Sequence, residues 1–203
     1  MTAQITSTST TTTLKNNGNT YMSVDTNDIV ALTNPLPVAS GGTGGTSAVG
    51  IQLQTAVATT SGTTIDFTGI PAGVKKIIIA YVGVSTDGNS MHLVQLGDSG
   101  GLETSGYVGS VLSVGGSTAA EASRTDAFQI VYTSSADRAD GMLILALADA
   151  STNTWVSQGA FEGSNVWRHA GSKSLSGVLT QVGCKTLNGE DYDAGKASIS
   201  WEF

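Results

Sequence analysis

The chain has 203 residues, of which 26 are glycine, 12% are charged and 6% are aromatic. So few charged side chains cannot coat the exposed faces of many helices, which argues against a mainly helical fold. The net charge of -7 argues against sequence-independent binding of nucleic acid, because phosphate binding needs clustered Lys and Arg. The longest apolar stretches, 77–84 and 142–148, are far shorter than the roughly 20 residues of a membrane helix. We therefore expect neither nucleic-acid binding nor membrane insertion.

The first 34 residues are rich in Thr, Ser and Asn and offer few apolar side chains. The Thr-rich tract at 8–13 favours extended backbone through β-branching, but it supplies no core. Residues 16–19 predict a tight turn, because Asn and Gly tolerate positive φ. Two short extended pieces follow, at 20–24 and 29–33, so the pattern predicts a small hairpin.

Residues 35–50 combine two prolines with a glycine-rich stretch. The prolines stiffen an extended approach, and the four glycines of 41–45 permit sharp reorientation or close approach of backbones at an axis. The segment has neither the Lys-Ser/Thr ending nor the strand-helix context of a phosphate-binding loop. It predicts a boundary or a neck, although composition alone favours an ordinary flexible linker.

From residue 51 onward, apolar and polar residues alternate with period two and turn residues interrupt them often. No long segment of helical period stands between these runs, so we predict an all-β fold, an antiparallel β-sandwich resembling a jelly roll. A short helix at 117–123 is the one alternative, and we interpret that segment as a loop. Strands are predicted at 51–57, 65–67, 75–84, 91–96, 106–114, 127–133, 141–148, 154–161, 166–170, 176–186 and 197–201.

The nucleophilic and basic side chains give little sign of catalysis. His92, His169 and Cys184 all fall in predicted strands, and no Gly-x-Ser-x-Gly elbow is present. We interpret the histidines as partly exposed strand side chains, and residues 98–101 as a β-turn instead of a protease nucleophile loop. The lone cysteine excludes an internal disulfide and a multi-cysteine zinc site. We predict no enzymatic activity and no cofactor.

The densest acidic cluster is formed by Glu190, Asp191 and Asp193. The preceding Asn-Gly makes a solvated hairpin end the favoured interpretation. A carboxylate pair for glycoside hydrolysis and a divalent-cation site are the alternatives, and a cation is also considered at 25–28.

Five large aromatic side chains offer another possible binding signal. Their rings combine apolar area with a polar tip, so they suit sugar stacking or a protein contact, although burial in a core or a subunit interface is favoured. They are Trp155, Trp167, Trp201, Tyr107 and Tyr192.

Residues 36–47 read Leu-Pro-Val-Ala-Ser-Gly-Gly-Thr-Gly-Gly-Thr-Ser. This segment closely resembles the LPVxxGGTGxTS/T neck of tail-fibre and other adhesin proteins of tailed bacteriophages and prophages. The resemblance extends, in the same order, over most of 35–203. The segments similar to the β-rich distal domain of those fibres are 67–77, 83–90, 94–101 and 186–199.

This resemblance implies a homotrimer. Residues 1–34 would form a segment that attaches to other tail or baseplate proteins of the virion, 35–50 a neck, and 51–203 a β-sandwich head that binds a bacterial surface glycan or protein. Glycine near a threefold axis lets backbones approach, and Thr-rich strands pair between subunits. The expected location is the virion, in its tail or fibre.

Two alternatives remain. A head fibre or capsid decoration protein would have the same architecture without an essential host contact. A depolymerase that cleaves surface polysaccharide is the weaker one, because no convincing carboxylate pair is present.

Loops on a rigid sandwich carry variable recognition, so the predicted receptor contacts lie in loops. We predict Arg124, Asp137 and Arg138 as contact residues. The loops considered are 85–90, 116–124 and 136–140.

Overall fold

The fold is described from a computed structural model, which describes residues 3–7, 11–16, 19–25, 30–32, 50–115 and 118–203. The chain divides into two compact units, Met1–Val49 and Gly50–Phe203. Every regular element in the described ranges is a β-strand. The predicted neck lies outside the described residues except for Gly50.

Eighteen strands are present in the described ranges, numbered here in chain order. They are β1 (Ala3–Ser7), β2 (Thr11–Asn16), β3 (Asn19–Asp25), β4 (Val30–Leu32), β5 (Gln52–Leu53), β6 (Val57–Ala58), β7 (Thr64–Thr68), β8 (Lys76–Thr86), β9 (Ser90–Asp98), β10 (Gly101–Leu102), β11 (Tyr107–Gly115), β12 (Thr118–Ser123), β13 (Phe128–Thr133), β14 (Ala139–Asp149), β15 (Thr154–Glu162), β16 (Val166–Ser174), β17 (Gln181–Thr186) and β18 (Tyr192–Glu202).

The first unit is a four-stranded antiparallel sheet in the order β1-β2-β3-β4. The predicted pairing of two short extended pieces is confirmed, because β3 and β4 pair with Met22 opposite Leu32. The Thr-rich strand β2 pairs on both edges, with β1 and with β3. The predicted turn between β2 and β3 includes residues 17 and 18, which lie outside the described ranges.

The second unit contains two antiparallel sheets. The large sheet has the order β12-β11-β16-β15-β14-β8-β18-β5, and β6 also pairs with β18. The small sheet has the order β10-β9-β17-β7, and β13 pairs with β9 beside β10. Strands β14, β15 and β16 follow one another as a meander. The chain passes from the large sheet to the small one between β8 and β9.

A single hydrophobic core lies between the two sheets. Period-two alternation places one face of each large-sheet strand inward, as in β8, where Ile77, Ile79 and Tyr81 are buried. Aromatic rings join the layers: the Phe128 ring of β13 meets the Tyr107 ring of β11 edge-on, with centroids 4.9 Å apart. The prediction of an all-β antiparallel sandwich is confirmed.

The prediction for residues 117–123 was wrong. Residues 117–123 were expected to form a loop, but Thr118–Ser123 form β12 at the edge of the large sheet. Alanines have weak strand preference, so the pattern gave no signal. Pairing with β11 decides the conformation, because it satisfies the backbone groups of both strands.

One buried ion pair fastens loops to the large sheet. The Lys173 side chain is 4% exposed and pairs with Glu103, whose second oxygen accepts a hydrogen bond from the Ser176 backbone N–H at 2.7 Å. Partial burial by itself raises the pKa of Glu103, yet that pKa is lowered overall, because Lys173 and the Ser176 N–H bind the carboxylate. The Lys173 ammonium also lies 5.5 Å from the Tyr107 ring centroid.

The Tyr107 hydroxyl holds together β9 and the loop after β10. It accepts a hydrogen bond from the Leu96 N–H at 2.7 Å and donates to the Glu103 carbonyl at 3.0 Å. We expect Tyr107→Phe to lower the free energy of unfolding by about 2 kcal/mol, because a buried N–H loses its acceptor. Urea unfolding measures this. Tyr132→Phe is the matched control, since the Tyr132 hydroxyl bonds to no described residue; equal losses in both variants would contradict the assigned role.

Candidate binding surface

The sandwich has two ends, defined by where its strands begin and finish. The near end holds β5, which pairs with Trp201, together with the start of β8 at Lys76 and the end of β16 at Ser174. The far end lies at the other ends of the same strands, near Thr86 and Val166. Gly50, where the second unit begins, lies two residues from β5 and therefore belongs to the near end.

Five connections whose residues are all described meet at the far end, and we call them the far-end loops. They are short; four of them connect a strand of one sheet to a strand of the other, and 163–165 joins β15 to β16 within the large sheet. They comprise residues 59–63, 87–89, 134–138, 163–165 and 187–191.

Loop 87–89 is tied to loop 187–191 by reciprocal bonds. The Asp87 N–H donates to the Asp191 carbonyl at 3.0 Å, and the Asp191 N–H donates to the Asp87 carboxylate at 3.0 Å. The Tyr192 N–H donates to the Gly62 carbonyl at 2.8 Å, which adds loop 59–63 to the same network. These bonds fix three loops in one arrangement.

Asn89 connects this group to loop 134–138. Its side-chain oxygen accepts a hydrogen bond from the Ser135 N–H at 3.3 Å, and its backbone carbonyl accepts one from the Asn188 side chain at 3.1 Å. Loop 163–165 joins through the Ser164 hydroxyl, which donates to the Tyr132 carbonyl at 3.3 Å. The far end is therefore a cross-linked polar surface.

The far end is predominantly acidic. Asp87 and Asp191 are exposed, as is Asp140 at the start of β14, whose carboxylate accepts a hydrogen bond from the Gly83 N–H at 2.8 Å. Asp193 accepts a hydrogen bond from the Ser85 hydroxyl. The far end therefore offers many carboxylate oxygens as hydrogen-bond acceptors, which suits ligands rich in hydroxyl or amide donors.

The three predicted contact residues do not form one surface. Asp137 and Arg138 lie on the far-end loops, whereas Arg124 follows β12 toward the near end. The Arg124 guanidinium donates two hydrogen bonds to Asp126, at 2.7 and 2.8 Å, and this pairing lowers the pKa of Asp126. Arg124 is thus committed to a local ion pair.

The Asp137 carboxylate stabilises the turn in which the residue lies. Its carboxylate accepts hydrogen bonds from the Ser134 hydroxyl at 2.6 Å and the Ser134 N–H at 3.2 Å. Arg138 is exposed, and no carboxylate of the described residues lies within 4.0 Å of its guanidinium. Of the three residues, Arg138 is the one free to meet a ligand.

The predicted loops are shorter in the structure than in the sequence pattern. Ser85, Thr86 and Ser90 belong to strands and are buried, which leaves only 87–89 as loop. Asn89 and the linked far-end network were missed, because the Asn-rich turns gave no sign that they would meet.

The large aromatic residues are packed in the core, as the favoured interpretation held. Trp155, Tyr107 and Tyr192 are each at most 2% exposed, and Trp167 is 9% exposed. Trp201 is half-buried against the same core. Their rings are therefore not an open sugar platform.

Both histidines are buried, so the expectation of partly exposed side chains was wrong. The His92 ring contacts the rings of Tyr81 and Tyr192 in the core, with its Nε2 2.8 Å from the Thr133 hydroxyl. The His169 Nε2 lies 2.8 Å from the Ser157 hydroxyl. Pairing between strands distant in the chain places both histidines on inward faces. Alternation within a single strand does not show which of its two faces points inward.

Neither histidine is arranged as a catalytic base. The Nδ1 atoms of His92 and His169 are buried with no hydrogen-bond partner among the described residues, so no carboxylate orients either ring. Burial raises the pKa of the Cys184 thiol to about 12, which keeps it protonated. The predicted turn at 98–101 is confirmed: Asp98 pairs with Gly101, and the Asp98 carboxylate accepts the Gly100 N–H at 2.7 Å.

In the described ranges, no group of three or more His, Cys, Asp or Glu side chains is arranged to hold a metal ion. Residues 26–28 of the second considered cation site lie outside those ranges. The same ranges contain no helix long and apolar enough to cross a membrane.

Comparisons with protein-family models, curated proteins and solved structures found no match to this chain.

Proposed function

We propose that this chain is a trimeric bacteriophage tail-fibre protein that binds the bacterial surface through the far-end loops. In this proposal residues 1–34 attach to tail or baseplate proteins of the virion, and the chain carries out no catalysis. The support from sequence is the resemblance of residues 36–47 to the fibre neck.

The observation that carries the proposal is the position and construction of the far-end loops. They lie at the end of the sandwich opposite Gly50, the residue at which the second unit begins. Their mutual hydrogen bonds hold polar groups in place before a ligand arrives, which reduces the entropy lost on binding. Three copies on one stalk would add avidity to weak single contacts.

Arg138→Glu is expected to weaken cell binding by at least about tenfold, because it reverses the charge of Arg138, which among the described far-end loops is the one cation and has no carboxylate partner. Fluorescently labelled full-length protein is applied to a panel of bacterial strains, and flow cytometry measures the half-saturating concentration on each strain that stains. Lys75→Glu, the same charge change on an exposed near-end residue, is the matched control. Equal binding by Arg138→Glu and wild type would contradict the proposal. So would a result in which the wild-type protein stains none of the strains that are infected by, or carry as a prophage, the phage that encodes this chain.

Location on the virion separates this proposal from the capsid alternative. Antibody labelling of virions in electron micrographs is expected to mark the tail. Label confined to the capsid would favour a head fibre or decoration protein instead.

A further inference from the structure

The large sheet has an exposed face that is apolar, and we call it the outer face. It consists of the outward side chains of β8, β14, β15, β16 and β11. Met142 is 48% exposed and Val156 is 43% exposed, although both lie on central strands of the sheet.

Strand register makes the outer face continuous. In one row, Ile78, Ile144, Gln158 and Ala170 stand opposite one another across four adjacent strands. In the next row, Ala80, Met142, Ala160 and Arg168 do the same. Directly opposed side chains on one face of antiparallel strands lie about 5 Å apart, so these rows form one patch.

The pattern of β14 is typical of a strand covered on both sides. An antiparallel sheet with one face in water alternates apolar and polar residues, whereas residues 142–148 of β14 are all apolar. Leu143 and Leu145 face the core, which leaves Met142 and Ile144 on the outer face without a covering layer in the second unit.

The outer face is also concave. Two adjoining grooves of about 390 and 380 Å³ run along it and share Ile144, Gln158 and Ala170. Ala and Gly residues alternate with larger side chains along these open grooves, so the grooves fit a broad protein surface better than a small ligand.

The outer face is as large as the apolar patches that form functional surfaces. Five strands span roughly 24 Å, and three rows of side chains, the two above and one through Ala146, Val156 and Ser172, add roughly 20 Å. The projected area is on the order of 500 Å². The largest apolar patch of a typical monomer is about 300–600 Å² and is often a functional site. One partner buries about 800 Å² in a standard interface, so the outer face would form the central part of such an interface.

Charge points to another copy of this chain as the occupant. The chain carries a net charge of -7, so copies repel one another except through a surface free of acidic groups. The two four-residue rows across β8, β14, β15 and β16 contain no acidic side chain, and their one charge is Arg168, which has no carboxylate within 4.0 Å among the described residues. Beyond β16 the register continues through Leu112 to Glu121 on the edge strand β12, outside the outer face and roughly 10 Å from Arg168. That distance is too long for a pair within one chain but leaves both charges available to a neighbouring copy.

We infer that the outer face packs against neighbouring copies of this same chain. The head therefore takes part in assembly alongside the neck; the number of copies, three, rests on the proposed function. Cyclic packing through the outer face leaves the far-end loops uncovered.

The test compares two valine substitutions in the full-length protein. Val156→Glu places a charge in the outer face, and Val178→Glu places the same charge on a loop, where Val178 is 53% exposed. Size-exclusion chromatography with light scattering at micromolar concentration is expected to give three times the 20.6 kDa chain mass for wild type and Val178→Glu. For Val156→Glu we expect the concentration of half-dissociation to rise at least about tenfold, because a buried unpaired charge opposes association.

Folding is controlled separately. Val156→Thr keeps the β-branched shape and suits a strand, and far-UV circular dichroism reports whether each variant keeps its β-signal. If Val156→Glu loses that signal, Val156→Thr decides: weaker association supports the inference, and unchanged association overturns it.

The outcomes separate the inference from the proposed function. A wild-type trimer that persists in folded Val156→Glu overturns the inference and leaves the trimer intact. A wild-type dimer that Val156→Glu dissociates supports the inference and contradicts the trimer. A monomeric wild type overturns both.

Discussion

Gly195→Ala is expected to lower the free energy of unfolding of the second unit by about 3 kcal/mol. Gly195 has a φ of +91°, and a Cβ there would lie 2.3 Å from the Gly83 carbonyl oxygen and 2.6 Å from the Val84 nitrogen. These are backbone atoms of β8, paired with β18 at an irregularity in the register, so they cannot swing aside as a flexible side chain would. Steric overlap therefore adds to the backbone strain of a left-handed alanine.

Gly189→Ala is the matched control for that substitution. Gly189 has a φ of +84°, but no atom lies within 4 Å of the position its Cβ would take. Only the strain remains, so we expect a loss of about 1 kcal/mol. Urea unfolding at one fixed protein concentration measures both variants, since any assembly would make stability concentration-dependent. Equal losses would show that β8 and β18 separate locally without cost.

Acidification from pH 7 to pH 5 is expected to destabilise the protein by about 2 kcal/mol for each buried histidine. Burial lowers the pKa of His92 to about 4, and it lowers the pKa of His169 to about 4 against an opposing contact with the Gln129 backbone. The unfolded histidines titrate near 6.5, so between pH 6.5 and 4 the unfolded chain binds more protons than the folded one. Stability therefore falls as pH drops through this window and is unaffected by these groups above it.

The surroundings of the two rings offer no compensating negative charge at these pH values. Tyr81, Tyr192 and Cys184 lie near His92, and burial raises the pKa of each above its ordinary value. The ring of Phe128 lies 5.1 Å from that of His169. Neither histidine can therefore be protonated without placing an unpaired charge in the core.

Urea unfolding at pH 7 and pH 5 measures this effect, and His92→Gln and His169→Gln are expected each to remove about half of it. The carboxylates with lowered pKa interfere little, because stability that depends on Asp126 or Glu103 is lost only as pH falls below about 5. A pH dependence unchanged in both glutamine variants would assign the effect to other groups.

The local sequence pattern predicted most of the strands and turns of the second unit. The long strands β8, β11, β14 and β15 were found within a few residues of their bounds, because alternation and turn residues act over short distances. Strand β12 was missed, since its Ala-rich sequence adopts a strand only through pairing with β11. Strand β17 was predicted too long, because the sequence pattern of residues 176–180 is typical of a strand. These residues form a loop instead, in which the Ser176 N–H donates a hydrogen bond to Glu103.

The candidate site was predicted only in part. All three contact residues were predicted from their loop positions alone. In the structure Asp137 and Arg138 lie at the far end, whereas Arg124 lies toward the near end. Sequence shows which residues stand in turns. It does not show which turns meet, because that depends on strand order in two sheets.

The all-β class, the alternation of buried and exposed positions and the boundary near residue 50 could be predicted, because they follow from side-chain chemistry over a few residues. The inward orientation of His92 and His169, the links that Asn89 makes between far-end loops, and the exposed face shared by Met142, Ile144 and Val156 became visible only in the folded chain. Each of these depends on register between strands distant in the chain, and a shift of one residue would turn every side chain to the opposite face.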